Sequence, residues 1–321
     1  MKIVLLDTLT FGATSLEKFS DLGEVVSYET TSPDETLERI TDADVIVTNK
    51  VVITEEMMNE CKKLKLICVA ATGMNNVDLP AAEAKNIAVK NVAGYSTDSV
   101  IQHTFSMLFY LMGHSKYYDE YVKDGSWTES KLFTHVQQPF FELKGKKWGI
   151  IGLGEIGKGV ANIAKAFGAE VSYYSTSGKN DNADFKKETI SNILEQSDVV
   201  SIHAPLNAST EGLIAHSEFL MMKDGAILLN LGRGGIVDEK ALSYILDAKP
   251  IYVGLDVLEK EPMTQDNPLK KIKAQERLYI TPHIAWTSVE ARDKLIASVV
   301  ENIRATLVTL SPLSDTKKVL L

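Results

Sequence analysis

The chain is poor in cysteine: of 321 residues only Cys61 and Cys68 are cysteines, and they form no CxxC motif and no disulfide framework. A small disulfide-stapled fold is therefore excluded, and a reduced, cytoplasmic protein is the simple expectation. Long apolar runs are also missing. No stretch approaches the roughly 20 residues needed to span a bilayer, and the opening Met1–Asp7 places charge too early for the core of a signal peptide. Positive charge is in deficit. Lys and Arg number 34 against 43 Asp and Glu, a formal net charge of −9, which argues against nucleic acid or an anionic membrane as the main partner. A small anionic substrate is not excluded, because one local cluster of Arg and backbone N–H groups can hold it. The chain shows no repeat of fixed period and no low-complexity segment.

What is present is ordinary globular composition, 45% hydrophobic and 24% charged, over a length that suggests two domains. Up to about residue 95, short β-branched runs alternate with helical stretches. Lys2–Asp7, Glu24–Glu29, Asp44–Asn49, Leu66–Ala70 and Ala88–Val92 read as strands. Ser32-Pro33-Asp34-Glu35 carries a cap, a first-turn proline and a capping-box Glu, and Thr54 caps a helix opening with Glu55 and Glu56. Such alternation predicts a parallel sheet covered on both faces. One long helix is expected from about Thr97 to Lys123, with Phe105, Leu108, Phe109 and Met112 on one side. The pattern is then lost over 124–141.

A second alternating series runs from Lys146 to Pro282, with strands expected at Lys147–Ile151, Glu170–Tyr174, Asp198–His203, Ala226–Asn230, Ile251–Asp256 and Leu278–Thr281. Six strands in strict alternation suit a doubly wound dinucleotide fold. Thr287-Ser-Val-Glu290 reads as a capping box opening a last helix to about Leu310. If that helix packs back on the first series, the expected domains are 1–100 with 287–321, discontinuous, and 101–286. Two crossings would then form a hinge beside a cleft, where ligands tend to bind.

After the strand ending at Ile151 comes Gly152-Leu-Gly154-Glu-Ile-Gly157, followed by a helical run at Lys158–Phe167. Gly152 permits the tight turn, Gly154 lets the backbone approach a pyrophosphate, and Gly157 allows close helix–strand packing, while the helix N-terminus offers N–H groups to phosphates. The strand–turn–helix context favours a dinucleotide over a purely structural turn or another nucleotide-like ligand such as S-adenosylmethionine. An acid about 20 residues on would favour NAD. Ser175 stands there instead, in Tyr173-Tyr174-Ser175-Thr176-Ser177-Gly178-Lys179. Without that carboxylate a 2′-phosphate meets no repulsion, so NAD and NADP both stay open as cofactors.

Three charged residues follow successive strands of the second series. Arg233 sits in Leu231-Gly-Arg-Gly-Gly235, where the glycines remove bulk and let the guanidinium reach inward. Its planar fork matches a carboxylate with two parallel bonds. Glu261 precedes Pro262, and His283 follows Thr281-Pro282. A hydride-transfer enzyme acting at a carbonyl needs a proton donor near the oxygen, a task that suits His, and a neighbouring carboxylate would stabilise the imidazolium and orient the ring. The carboxyl ends of such strands are where ligands bind.

Together, Gly152–Gly157, His203-Ala-Pro205-Leu, Asn230-Leu-Gly-Arg233-Gly, Gly254-Leu-Asp256-Val, Thr281-Pro-His283 and Thr72-Gly73-Met74-Asn-Asn-Val-Asp78 resemble the D-isomer-specific 2-hydroxyacid dehydrogenases over nearly the whole chain. Asn91–Ser99, Gln102-His103-Thr104 and His283-Ile-Ala-Trp286 look most like its glycerate dehydrogenases, or hydroxypyruvate reductases. The resemblance implies a Rossmann-type doubly wound sheet inserted into a flavodoxin-like α/β substrate domain. It implies that Arg233 holds the substrate carboxylate, that His283 exchanges a proton with the substrate oxygen, and that Glu261 pairs with His283. Gly73, Met74 and Trp286 would join the substrate site. Thr72, Gly152, Gly154, Glu155, Ile156, Gly157, Ser175, Pro205, Leu231, Arg233 and Asp256 would contact the dinucleotide, with Asp256 facing the nicotinamide amide. A homodimer is implied.

Gln102 departs from the Glu common among relatives, with no physical account of its effect; Glu261 stands where relatives acting on formate place Gln, which argues against formate. His103 and His114 lack companion ligands at metal spacing and read as structural, so no metal is expected. Trp286 is either a pocket wall or an ordinary domain-interface aromatic. The unpatterned Ser126–Phe141 is a candidate dimer-crossing segment. The leading expectation is reduction of hydroxypyruvate or glyoxylate. D-lactate, phosphoglycerate and a dinucleotide-sensing corepressor are the alternatives, the last disfavoured by the absence of long extra tails.

Overall fold

A computed structural model describes residues 1–310. The chain forms two compact units, Met1–Ser96 together with the segment from Thr287, and Thr97–Trp286.

In the first unit β1 (Lys2–Leu5), β2 (Glu24–Ser27), β3 (Val45–Thr48), β4 (Leu66–Val69) and β5 (Ala88–Lys90) make one sheet in the order β2-β1-β3-β4-β5. Every pairing is parallel, and this is the flavodoxin-like order. β3 and β4 are buried at every position, as central strands covered on both faces must be. Helices α1 (Pro33–Ile40), α2 (Glu55–Glu60) and α3 (Leu79–Ala84) supply the crossovers. The backbone N–H of Ser32 donates to Glu35 Oε2 at 2.9 Å, and Thr54 Oγ1 accepts from Met57 N at 3.4 Å, so the first helix start uses the capping-box Glu and the second the hydroxyl cap legible in the sequence.

The C-terminal helix Val289–Leu310 packs against β4 of this unit. It opens one residue later than a box starting at Thr287 requires: Ser288 Oγ accepts from Ala291 N at 3.2 Å. Arg292 donates to the Phe11 carbonyl at 2.8 Å and Asn302 to the Asn91 carbonyl at 3.0 Å.

The second unit opens with α4 (Thr97–Met112) and α5 (Ser115–Lys123). The single helix expected over this span is broken at Gly113 and His114. Glycine weakens a helix interior, and His114 turns left-handed, with φ +49°. Phe109, expected on the buried side, is 38% exposed, because the buried positions Val100, Ile101, Thr104, Phe105, Met107, Leu108 and Leu111 share one face of α4 and Phe109 falls beyond its edge.

There follow β6 (Lys147–Ile151), α6 (Glu155–Ala166), β7 (Glu170–Tyr174), β8 (Lys186–Lys187), α7 (Ile190–Gln196), β9 (Val199–Ile202), α8 (His216–Met221), β10 (Ile227–Asn230), α9 (Glu239–Ala248), β11 (Tyr252–Leu255) and β12 (Leu278–Ile280). The sheet order is β12-β11-β10-β9-β6-β7-β8, a doubly wound sheet whose strand order reverses between β6 and β9. It has seven strands where six were expected. The extra strand, β8, is two exposed lysines paired to Ser172 and Tyr173 of β7, and so carries no apolar signature. Helix α6 begins at Glu155, three residues before the expected Lys158. Trp148 and Tyr173 are among the largest fully buried side chains, and the Trp148 indole donates to Ser201 Oγ at 2.9 Å. Among the described residues no helix is long and apolar enough to cross a membrane.

Candidate active site

The glycine loop lies at the strand-order reversal, between β6 and α6. Gly152 has φ +92°, and a Cβ there would lie 2.9 Å from Ala204 N; both facts require glycine. A Cβ on Gly157 would overlap the Gly152 carbonyl, whereas one on Gly154 would meet nothing within 4 Å. Gly157 therefore serves helix–strand packing, and Gly154 leaves open space at the helix start. No side chain caps α6 at Gly154. An uncapped N-terminus of a 12-residue helix facing open space fits a dinucleotide pyrophosphate, and Glu155, Ile156 and Gly157 supply its first-turn amides.

At the end of β7, Ser175 is only 4% exposed. Its Oγ accepts from Asn180 N at 3.3 Å, so it braces its own loop, while Ser177 and Lys179 are exposed. Lys187 Nζ donates to Gly178 O at 3.0 Å and meets Asp181 at 2.8 Å. The loop therefore has its own polar scaffold, in which Ser175 turns inward.

Arg233 follows β10. Asn230 Nδ2 donates to the Arg233 carbonyl at 3.0 Å and Asn230 Oδ1 accepts from Gly232 N at 3.1 Å, so one amide side chain clasps the turn from both sides. The flanking glycines have a role other than freeing space for ligand. A Cβ on Gly232 would lie 2.7 Å from Ala204 O, and one on Gly234 would overlap the Leu258 carbonyl. These glycines let the Arg233 turn pack backbone to backbone against the loops after β9 and β11. The Arg233 guanidinium donates to Gly232 O at 2.8 Å and is half-buried.

Glu261 and His283 follow β11 and β12. His283 Nδ1 lies 2.7 Å from Glu261 Oε2, and Glu261 Oε1 accepts from Leu258 N at 3.0 Å. A carboxylate can only accept, so Nδ1 carries the proton and Nε2 is the atom that can gain or lose one. Among the described residues no protein group holds Nε2. His283 itself adopts φ +54°, a left-handed conformation that costs a non-glycine residue on the order of 1–2 kcal/mol and needs support from its surroundings. The Glu261 segment is anchored from behind. Glu259 N donates to Glu239 Oε1 at 2.5 Å, Glu239 N returns a bond to Glu259 Oε1 at 3.1 Å, and Asn267 Nδ2 donates to Glu239 Oε2 at 2.7 Å. Burial pushes the Glu239 carboxyl above its ordinary range, against the pull of those donors.

Asp256, expected to face the nicotinamide, is 2% exposed and receives three bonds from the His283 loop: Thr281 Oγ1 at 2.6 Å and Ile284 N at 2.9 Å on Oδ1, and Ala285 N at 2.9 Å on Oδ2. Leu231 is buried and Pro205 exposed, the Pro205 carbonyl accepting from Thr210 at 2.7 Å. Trp286 is half-buried at the end of the second unit. In the first unit, Thr72–Met74 follows β4; Thr72 Oγ1 donates to Val92 O at 3.2 Å and the Thr72 carbonyl accepts from Asn91 at 2.7 Å. The clasp at Asn230, the Glu239–Glu259 exchange and the part-buried His203 escaped sequence reasoning; a polar residue closing an apolar strand was the available signal for Asn230. The Cys61 and Cys68 thiols are buried and pushed up, to about 11 and about 12.

Comparison with known proteins agrees with this geometry. Residues 105–285 match the family model described as "D-isomer specific 2-hydroxyacid dehydrogenase, NAD binding domain". The chain is 36% identical to a hydroxypyruvate reductase of Blautia hydrogenotrophica, over 94% of this chain and 96% of that one. It is 36% identical to a glycerate dehydrogenase of Methylorubrum extorquens, over 95% of each. Among solved structures, an acyclic imino acid reductase in complex with NADPH and D-Arg superimposes with a TM-score of 0.83 at 30% identity, covering 96% of this chain and 98% of that one. The chain belongs to the D-isomer specific 2-hydroxyacid dehydrogenase family, NAD-dependent enzymes that act on a CH–OH group.

Proposed function

We propose that this enzyme interconverts hydroxypyruvate with D-glycerate, and glyoxylate with glycolate, using Arg233, Glu261 and His283. The observation that carries this reading is the 2.7 Å His283–Glu261 pair, standing one strand from the Arg233 turn at the carboxyl edge of β10, β11 and β12. The names of the two relatives described above support the choice of acid. A bound nicotinamide would supply or accept the hydride exchanged at the substrate carbon. Arg233 binds the carboxylate through its fork and draws charge from the neighbouring carbonyl. His283 Nε2 gives its proton to that oxygen in reduction and takes the hydroxyl proton in oxidation. Glu261 keeps the ring oriented and stabilises its protonated form. Gly152, Gly154, Glu155, Ile156 and Gly157 hold the pyrophosphate; Pro205, Leu231 and Asp256 flank the rest of the dinucleotide. Thr72, Gly73, Met74 and Trp286 keep the ligand-binding parts that the family resemblance gives them.

Either dinucleotide suits the loop after β7, where no acid occupies position 175 and Lys179 is exposed. The test is nicotinamide absorbance with hydroxypyruvate, glyoxylate, pyruvate and 3-phosphohydroxypyruvate, each with NADH and NADPH. Preference for the first two acids is the expected result; preference for either of the others overturns the substrate assignment.

The working form is a cytoplasmic homodimer in this reading. Leu132, Phe133, Val136, Phe140 and Phe141 are 63–90% exposed, an apolar surface that a second copy would cover, and the buried thiols suit a reducing compartment. Light scattering at micromolar concentration gives twice the chain mass if this holds, and the chain mass itself if it does not.

A further inference from the structure

We propose that His103, on α4, is a positioning residue that acts through Thr281 and Asp256 to fix the loop bearing His283. The proposal rests on the reading of His283 as the proton-transfer residue.

The direction of each bond follows from chemistry. Thr281 Oγ1 lies 2.6 Å from Asp256 Oδ1 and 3.1 Å from His103 Nε2. It has one proton, and an ionised carboxylate can only accept. The hydroxyl proton therefore goes to Asp256, leaving the Thr281 oxygen as an acceptor, so His103 must donate from Nε2–H. Burial pushes the His103 pKa down, with nearby Asp256 opposing, which suits a neutral ring locked in the Nε2–H tautomer. His103 is 16% exposed at the side chain and Asp256 1%, so water competes weakly for these bonds.

The relay ends on the His283 loop. Asp256 collects Thr281, Ile284 and Ala285 through its side chain, and its carbonyl accepts from His283 N at 2.9 Å. One residue thus touches four of the five positions from 281 to 285, and that grip holds His283 at φ +54°. Helix α4 packs against β10 and β11, the strands that lead to Arg233 and Glu261. His103 therefore ties the loop that follows β12 to the helix backing the neighbouring strands. A small misplacement of a catalytic group by a remote change can cost about 10²-fold in rate, so the device matters for turnover more than for binding.

The test uses full-length protein with His103→Phe, His103→Gln, Thr281→Val and the double variant His103→Phe/Thr281→Val, and with His283→Gln as reference. His103→Phe and Thr281→Val should each lower kcat about 10–100-fold, with KM for the 2-oxo acid and cofactor Kd within about twofold. His103→Gln, whose amide N–H can still reach Thr281, should recover most of the rate. The double variant should be no slower than the slower single, as expected of residues acting in one chain. A full rate in both His103→Phe and Thr281→Val while His283→Gln is crippled overturns the positioning role alone. A full rate in His283→Gln overturns the catalytic reading beneath it. If the substituted chains fail to fold, ¹⁵N NMR of the unaltered protein decides: His103 protonated on Nε2 supports the relay, and protonation on Nδ1 alone refutes it.

Discussion

His283 Nδ1 meets Glu261 Oε2 at 2.7 Å, two residues 22 apart in sequence that follow adjacent parallel strands, β11 and β12. The pair fixes which imidazole nitrogen is left to exchange a proton, since the Nδ1 proton is committed to the carboxylate. Replacing His283 with Gln should lower kcat by about 10²–10⁴-fold, the usual worth of general acid–base catalysis. Glu261→Gln should cost less, because the amide oxygen can still accept from Nδ1–H, although the charge is lost and the amide NH2 then faces the Leu258 N–H that the second carboxylate oxygen accepted. Steady-state rates across pH 5–9 check both; a His283→Gln enzyme with full rate and an unaltered pH profile would remove His283 from the mechanism.

Arg233→Ala should cut turnover about 10²-fold or more, the scale seen on removing a donor aimed at developing charge. Cofactor affinity, followed by nicotinamide fluorescence, should change little. Equal losses in both would mean that the guanidinium serves the dinucleotide rather than the substrate carboxylate.

Gly234→Ala should destabilise the protein and slow it together, because the new Cβ overlaps the Leu258 carbonyl just ahead of Glu261. Overpacking of this kind costs about 1–3 kcal/mol. A urea midpoint unchanged from the parent protein would show that the two turns have room to separate.

Stability should fall as pH drops below neutrality on account of His203. Burial pushes its pKa down to about 3, and its Nδ1 is buried without a hydrogen-bond partner among the described residues. The folded pKa lies below the unfolded value of about 6.5, so the unfolded chain takes up the proton first as pH falls. The stabilisation is complete above pH 6.5 and is lost progressively towards pH 3, with about 2 kcal/mol gone by pH 5 at 1.36 kcal/mol per pH unit. Urea unfolding at pH 7.5 and pH 5, compared between the parent and His203→Phe, measures it; the same pH slope in both would acquit His203.

Ser175→Asp should move cofactor preference towards NADH by about tenfold, a change worth 1.4 kcal/mol. The new carboxylate can still accept from Asn180 N while repelling a 2′-phosphate. An unchanged NADPH-to-NADH ratio of kcat/KM would place the discriminating contact elsewhere, with Lys179 the next residue to replace.

Local signals carried far. The Ser32–Glu35 capping box, the Gly152–Gly157 loop between a strand and a helix, and the alternation that yields two parallel sheets each depend on residues within one turn or one strand of each other, so the chain displays them directly. The sites of failure are equally local in cause. β8 is two lysines without an apolar face, the break at Gly113 and His114 hides inside an otherwise helical pattern, and the final helix takes its hydroxyl cap from Ser288, one place beyond Thr287.

The sequence by itself determined the two-series α/β plan, the glycine loop between strand and helix, the family and the three charged residues that follow successive strands. Only the tertiary structure decided what each side chain does with its polar atoms. Arg233 has its turn clasped by Asn230, Ser175 is drawn inward to Asn180, and Asp256 spends its oxygens on the loop of His283. The physical reason is range. Backbone conformation and apolar periodicity are set by neighbours a few residues away, whereas Asp256 meets Thr281 across 25 residues and His103 meets Thr281 across 178, distances closed only when strand order and register bring the loops to one edge of the sheet.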